Sequence, residues 1–145
     1  MNQKNPHDQP MNSKSKLRPE HVALNVSDPI AAAKWYCEHL GMIVMRKGPP
    51  PVNVHFIADS AGTIMFELYH NIAAPVLEFT SLNPLCLHIA FMSDDLKTIR
   101  NSLIAAGAKV AEDVTTIPTG DQILMMRDPW GLSIQFVNRV KPMLK

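Results

Sequence analysis

The sequence predicts an α+β fold made of two β-α-β-β-β modules in tandem. Three observations point to it. Two stretches with apolar residues at three- and four-residue steps each follow one strand-like run and precede three more. Each of these helical stretches stops at a glycine, Gly41 or Gly107. Finally, His21-Val22-Ala23 matches His88-Ile89-Ala90, and Phe66-Glu67-Leu68 matches Ile134-Gln135-Phe136, at nearly the same offset, which is what internal duplication produces.

The 145 residues suit one ordinary domain and can bury a core without disulfides. Residues 1–19 are polar and proline-bearing, so a disordered tail is expected there. A single domain should then span 20–139, with module one at 20–71 and module two at 85–139, and 140–145 forming a C-terminal tail. His21 to Val26 reads as a strand. Asp28 is placed as an N-cap, Pro29 suits the first turn, and Ile30, Ala33, Cys37 and Leu40 carry the helix to about Leu40. Three strand-like runs follow at about Met42–Arg46, Val52–Asp59 and Thr63–Tyr69, separated by Gly-Pro-rich and Ser-Ala-Gly turns.

An irregular connection, Asn71 to Pro84, leads to a strand expected at Leu85–Met92. A second helix begins near Asp94-Asp95, with Leu96, Ile99, Leu103 and Ala106 on its apolar face. Strands near Lys109–Ala111, Gln122–Arg127 and Leu132–Asn138 complete the second module, the last two joined by the tight turn Asp128-Pro129-Trp130-Gly131.

Strand side chains alternate between two faces. One face collects bulky apolar residues: Val22, Leu24 and Val26; Ile64, Phe66 and Leu68; Leu85, Leu87, Ile89 and Phe91; Leu132, Ile134 and Phe136. These should pack under the helices. The other face is small or polar and holds His21, Glu67, His88 and Gln135 at equivalent positions of the repeat. Any one of them could simply meet water, but four at matching positions point to a shared task. Two imidazoles and a carboxylate, with an amide oxygen as a fourth candidate, suit a divalent ion such as Zn, Ni, Fe, Co or Mn.

Tyr69, on the face of Glu67, is a candidate for substrate contact, as are His55, on a neighbouring strand, and Arg127, ahead of the Asp128 turn. The ordinary readings are a satisfied strand histidine and a solvated strand-end arginine. Trp35 and Trp130 read as packing residues, and Cys37 and Cys86 as buried free thiols.

The formal net charge of +1, with no clustered basic excess, argues against nucleic-acid binding. No apolar run approaches a membrane span and the first twenty residues lack a signal-type apolar core, so no membrane partner and a cytoplasmic location are expected.

The segments HVALNVSDPIAAAKWYCEHLG, FELY, LHIAF and DPWGLSIQFV resemble those of the vicinal oxygen chelate superfamily, over about Glu20 to Arg139. That superfamily includes glyoxalase I, bleomycin-binding proteins and extradiol dioxygenases. The resemblance implies a curved mixed sheet around a metal-binding cleft, with ligands on the first and fourth strands of each module. Those roles fall on His21, Glu67, His88 and Gln135.

It further implies a small oxygenated substrate, an enolate or alkoxide stabilised by the metal, and a homodimer whose modules share each site. Glyoxalase I has a glutamate where this chain has Gln135, and an amide cannot act as a base near neutral pH. Glu67 is therefore the candidate catalytic base. The preferred expectation is a lyase or isomerase. The alternatives are a non-haem Fe(II) dioxygenase and a metal-free ligand-binding protein of the bleomycin-resistance kind.

Overall fold

The structure is a computed structural model that describes residues 17–143. The disordered-tail expectation therefore falls outside the described residues for 1–16, as does the end of the C-terminal tail. The elements run β1 (His21–Asn25), α1 (Pro29–Leu40), β2 (Ile43–Lys47), β3 (His55–Ala58) and β4 (Met65–Tyr69). Then come β5 (Ile89–Met92), α2 (Leu96–Ala105), β6 (Lys109–Thr116), β7 (Gln122–Arg127) and β8 (Ser133–Asn138).

They form two four-stranded sheets, ordered β1-β4-β3-β2 and β5-β8-β7-β6. In each, the first strand runs parallel to the fourth and the remaining pairs are antiparallel. The helix carries the chain from the first strand to the far edge, and the meander brings it back beside that strand. The duplication extends to register: Ala23 pairs Glu67 in one sheet and Ala90 pairs Gln135 in the other.

The helix boundaries follow from capping chemistry. Asp28 accepts from the Ala31 amide at 2.9 Å, and Asp95 accepts from that of Thr98 at 2.9 Å. Gly41, at φ 67°, closes α1 in the left-handed conformation and donates its N–H to the Tyr36 carbonyl.

The core is one cluster spanning both modules. Trp35 and Tyr36 of α1, Leu96 and Leu103 of α2, and Leu24, Phe66, Leu68, Leu124, Ile134 and Phe136 of the sheets all belong to it. Each large apolar side chain so buried contributes about 1.5–3 kcal/mol. Polar contacts lock the modules together: Trp35 Nε1 donates to the Ala106 carbonyl at 2.8 Å, and Tyr36 Oη to Asp128 Oδ2 at 2.9 Å. The Phe66 and Phe91 rings meet edge to face, with centroids 6.3 Å apart.

Several expectations about the sheets need correction. The strand expected at Leu85–Met92 begins only at Ile89. Pro84 has no N–H for a ladder, the Asn83 side chain takes the Leu85 amide at 2.9 Å, and the Asn83 carbonyl takes the Cys86 amide at 2.9 Å. These local bonds make a turn where alternation predicted a strand, and they leave Leu85 83% exposed instead of under a helix and the Cys86 thiol exposed instead of buried. Val22, on the edge strand β1, is likewise 44% exposed. The strand expected at Lys109–Ala111 instead continues to Thr116, with two register shifts along it.

The connection between the modules is seated at the Asp128–Gly131 turn. Gly131 has φ 89°, and a Cβ there would stand 2.5 Å from Thr80 Cγ2 and 2.8 Å from the Thr80 amide nitrogen. Backbone strain and close approach act together at this position. Gly131→Ala is expected to lower stability by about 2–4 kcal/mol, read as a drop in the urea midpoint; an unchanged midpoint would show that the connection does not press on this turn.

Candidate functional site

The helix-free face of the β1-β4-β3-β2 sheet holds His21, Glu67, Tyr69 and Phe56. Glu67 pairs with Ala23 on one side and Phe56 on the other, and residues paired across strands project to the same side. His21 and Tyr69 each lie two residues along a strand from that rung, so they share its face. His21 Nε2 stands 3.4 Å from Glu67 Oε2. Its ring also meets Phe56 edge-on, with centroids 5.7 Å apart.

The contacts of each histidine fix its tautomer. His21 Nδ1 contacts the Glu20 carboxylate, and His88 Nδ1 lies 2.8 Å from the Pro84 carbonyl oxygen. Both oxygens only accept, so Nδ1 carries the proton and Nε2 is left to accept or ligate. His21 Nε2 and Glu67 Oε2 are then two lone-pair atoms turned toward each other, an arrangement that calls for a proton or a metal cation between them.

The spacing fits a metal. Bonds of about 2.0–2.1 Å in a tetrahedral zinc site place neighbouring ligand atoms about 3.4 Å apart. The proton competes for the same place. The hydrogen bond to Glu20 raises the His21 pKa above its usual value, against some desolvation, and the negative charges of Glu20 and Glu67 add to the rise.

Module two carries Gln135 and His88 at the equivalent positions of the repeat. Gln135 pairs with Ala90 and with Met125 and is half-buried on β8. His88, expected within a strand, instead precedes β5 and is held by the turn at Pro84. Among the described residues, no three His, Cys, Asp or Glu side chains converge to hold a metal ion, so one chain does not bring His88 to His21 and Glu67.

The substrate-contact candidates are placed differently. Tyr69 is half-buried beside Glu67 on the open face. His55 is not on that face: it pairs with Leu68, which is 2% exposed in the core, and is itself buried, with Nδ1 2.7 Å from the Asn53 carbonyl oxygen. Alternation alone does not reveal this, because Phe56 and Ile57 are both apolar; the register against β4 decides it, putting Phe56 and not His55 beside Glu67. Arg127 is engaged structurally. Its Nη1 donates to the Phe79 and Gly131 carbonyls at 2.7 and 2.8 Å, and its Nη2 to that of Leu82 at 2.8 Å. Those bonds tie the inter-module connection to the sheet, and the solvated strand-end reading is replaced by a clamp. Two residues that touch His21, Glu20 and Phe56, escaped the sequence reading.

Comparisons with known proteins agree on the architecture. The family model described as Glyoxalase/Bleomycin resistance protein/Dioxygenase superfamily matches residues 18–136. No curated protein matches the chain. Among solved structures, SMU.1112c is 28% identical, covering 86% of this chain and 100% of that one, with a TM-score of 0.68. TnmS3, an antibiotic binding protein from Streptomyces sp. CB03234, is 19% identical over 84% of this chain and 95% of its own, with a TM-score of 0.65. A glyoxalase I mutant from Zea mays is 22% identical over 86% of this chain but 46% of its own, with a TM-score of 0.69.

Proposed function

The chain belongs to the Glyoxalase/Bleomycin resistance protein/Dioxygenase superfamily, and from that premise we propose that it is a metal-dependent, glyoxalase-like enzyme, a lyase or isomerase acting on a small oxygenated molecule. The observation that carries this reading is the His21 Nε2 to Glu67 Oε2 approach at 3.4 Å, with Nδ1 of His21 already committed to Glu20. A binding protein with a purely apolar or stacking pocket has no need of two acceptors so arranged.

In this reading His21 and Glu67 of one copy, with His88 and Gln135 of a second copy, hold one divalent ion of the Zn, Ni, Fe, Co or Mn group. Bound there, the ion supplies Lewis-acid polarisation of a substrate oxygen. Glu67 is the one carboxylate of the set, so it would take up a proton leaving a carbon next to that oxygen. Gln135 contributes an uncharged oxygen and leaves the site less negative than a second glutamate would, which favours oxygen-rich anionic ligands. Tyr69 offers a hydroxyl to the substrate, and Phe56 closes the floor against water.

Metal content by elemental mass spectrometry on tag-free protein tests the reading. Stoichiometric zinc, nickel, cobalt or manganese is expected, and iron would redirect it to the dioxygenase alternative. Protein that stays metal-free after reconstitution would instead support ligand sequestration, as in the antibiotic-binding TnmS3.

The pH dependence has a fixed sign. Because the His21 pKa is raised, its proton persists to higher pH and must leave when metal binds. Apparent metal affinity should fall about tenfold per pH unit below that pKa and level off above it. Competition titrations with a chromophoric chelator across neutral pH read this directly, and a flat profile would remove His21 from the ligand set.

A further inference from the structure

The open face carries a cation that the metal reading leaves without a task. One rung crosses the first sheet from Arg46 on β2 through Phe56 on β3 to Glu67 on β4. All three therefore project to the same side. The Arg46 guanidinium carbon stands 5.9 Å from the centroid of the Phe56 ring, and the His21 imidazole meets that same ring at 5.7 Å. Those two distances laid end to end are the upper bound on the gap between imidazole and guanidinium.

Lys47, the next residue, does not share this position. It pairs with His55 on the helix-covered side and acts on Cys37 there. Among the described residues no carboxylate pairs with Arg46, and its guanidinium stands over an apolar ring. The carboxylates of Glu20 and Glu67 lie at the other end of the face, beside His21.

We propose that Arg46 is the anion-binding end of the substrate cleft, with Phe56 as its floor, and that the substrate is a small organic acid. Its chelating oxygens sit at His21 and Glu67, its carboxylate meets Arg46, and an apolar stretch between them lies over the Phe56 ring. The assignment rests on the metal-dependent reading given above. A planar guanidinium can donate two parallel hydrogen bonds to a carboxylate, which fixes orientation as well as charge. The ring beneath holds the guanidinium by its face and shields one side of the ion pair from water. A bound divalent ion would offset Glu67 for the chelating head, so repulsion from Glu67 drives the second, distal carboxylate toward Arg46.

The test compares 2-oxoglutarate with 2-oxopentanoate, which share a chelating head and differ in the distal carboxylate. Calorimetric titration of the zinc-loaded full chain should show about tenfold or more tighter binding of 2-oxoglutarate. Arg46→Gln should bind the two acids equally, and Arg46→Lys should keep part of the preference, because an ammonium supplies charge without the fork. Equal affinities in the wild type, or a preference that survives Arg46→Gln, would overturn the assignment while leaving the metal reading intact. Zinc uptake is titrated separately beforehand, and a wild-type chain that takes up none would overturn both.

Discussion

Glu67→Ala is expected to cost at least about 100-fold in metal affinity, and His88→Ala a similar factor, with the fold retained in both. Each change removes a donor from the proposed four-member set, and neither side chain belongs to the apolar core. Replacements that change charge alone separate the roles further. Glu67→Gln keeps an oxygen donor and abolishes the base, so it should hold part of the metal and lose turnover. Gln135→Glu adds a second carboxylate and should raise metal affinity about tenfold or more. Chelator competition monitored alongside circular dichroism checks all four, and unchanged affinity in Glu67→Ala would remove that residue from the site.

Asp128→Ala should be the most damaging single change to stability, at about 3–5 kcal/mol. The Asp128 carboxylate is buried and accepts from Tyr36 Oη at 2.9 Å and from the Trp130 and Leu132 amides, each at 2.9 Å. Alanine orphans three donors in the seam between the modules. Asparagine can keep the two amide bonds through its oxygen and meet the Tyr36 hydroxyl with its nitrogen, so Asp128→Asn should lose only about 1 kcal/mol.

Burial pushes the Asp128 pKa above the usual carboxylate value despite its hydrogen bonds. The folded protein then holds this proton more tightly than the unfolded chain does. The contribution to stability is full below the ordinary carboxylate pKa and is lost as pH rises through the raised one. Urea midpoints in acid and at neutral pH should show that slope in the wild type and its loss in Asp128→Asn. Equal midpoints for the alanine and asparagine variants would show that the orphaned donors find water.

The architecture was legible because the apolar periodicity, the aspartate caps and the glycine stops all agreed with the tertiary packing. The equivalence of Ala23–Glu67 with Ala90–Gln135 could be read from repeat spacing alone, and the structure reproduces it as register. What sequence could not supply was pairing between strands. His55 looked available to the cleft because the register of β3 against β4 decides its face, and that register is set by packing of Ile57 beneath α1. The start of β5 was missed because hydrogen bonds of Asn83 outcompete a strand whose alternation is otherwise regular. Arg127 could not be assigned because its partners are carbonyls of a connection that no pattern predicts.

A metal site completed by two copies of the chain should be recoverable by mixing two defective variants. Glu67→Ala chains and His88→Ala chains are refolded together and their metal content is compared with that of each variant alone. Sites shared between copies leave the mixed dimer one intact site, built from the first module of one chain and the second module of the other. Random pairing then restores about one quarter of all sites. That partial recovery is the expected result; a mixture as empty as its components, alongside metal-replete wild type, would contradict it.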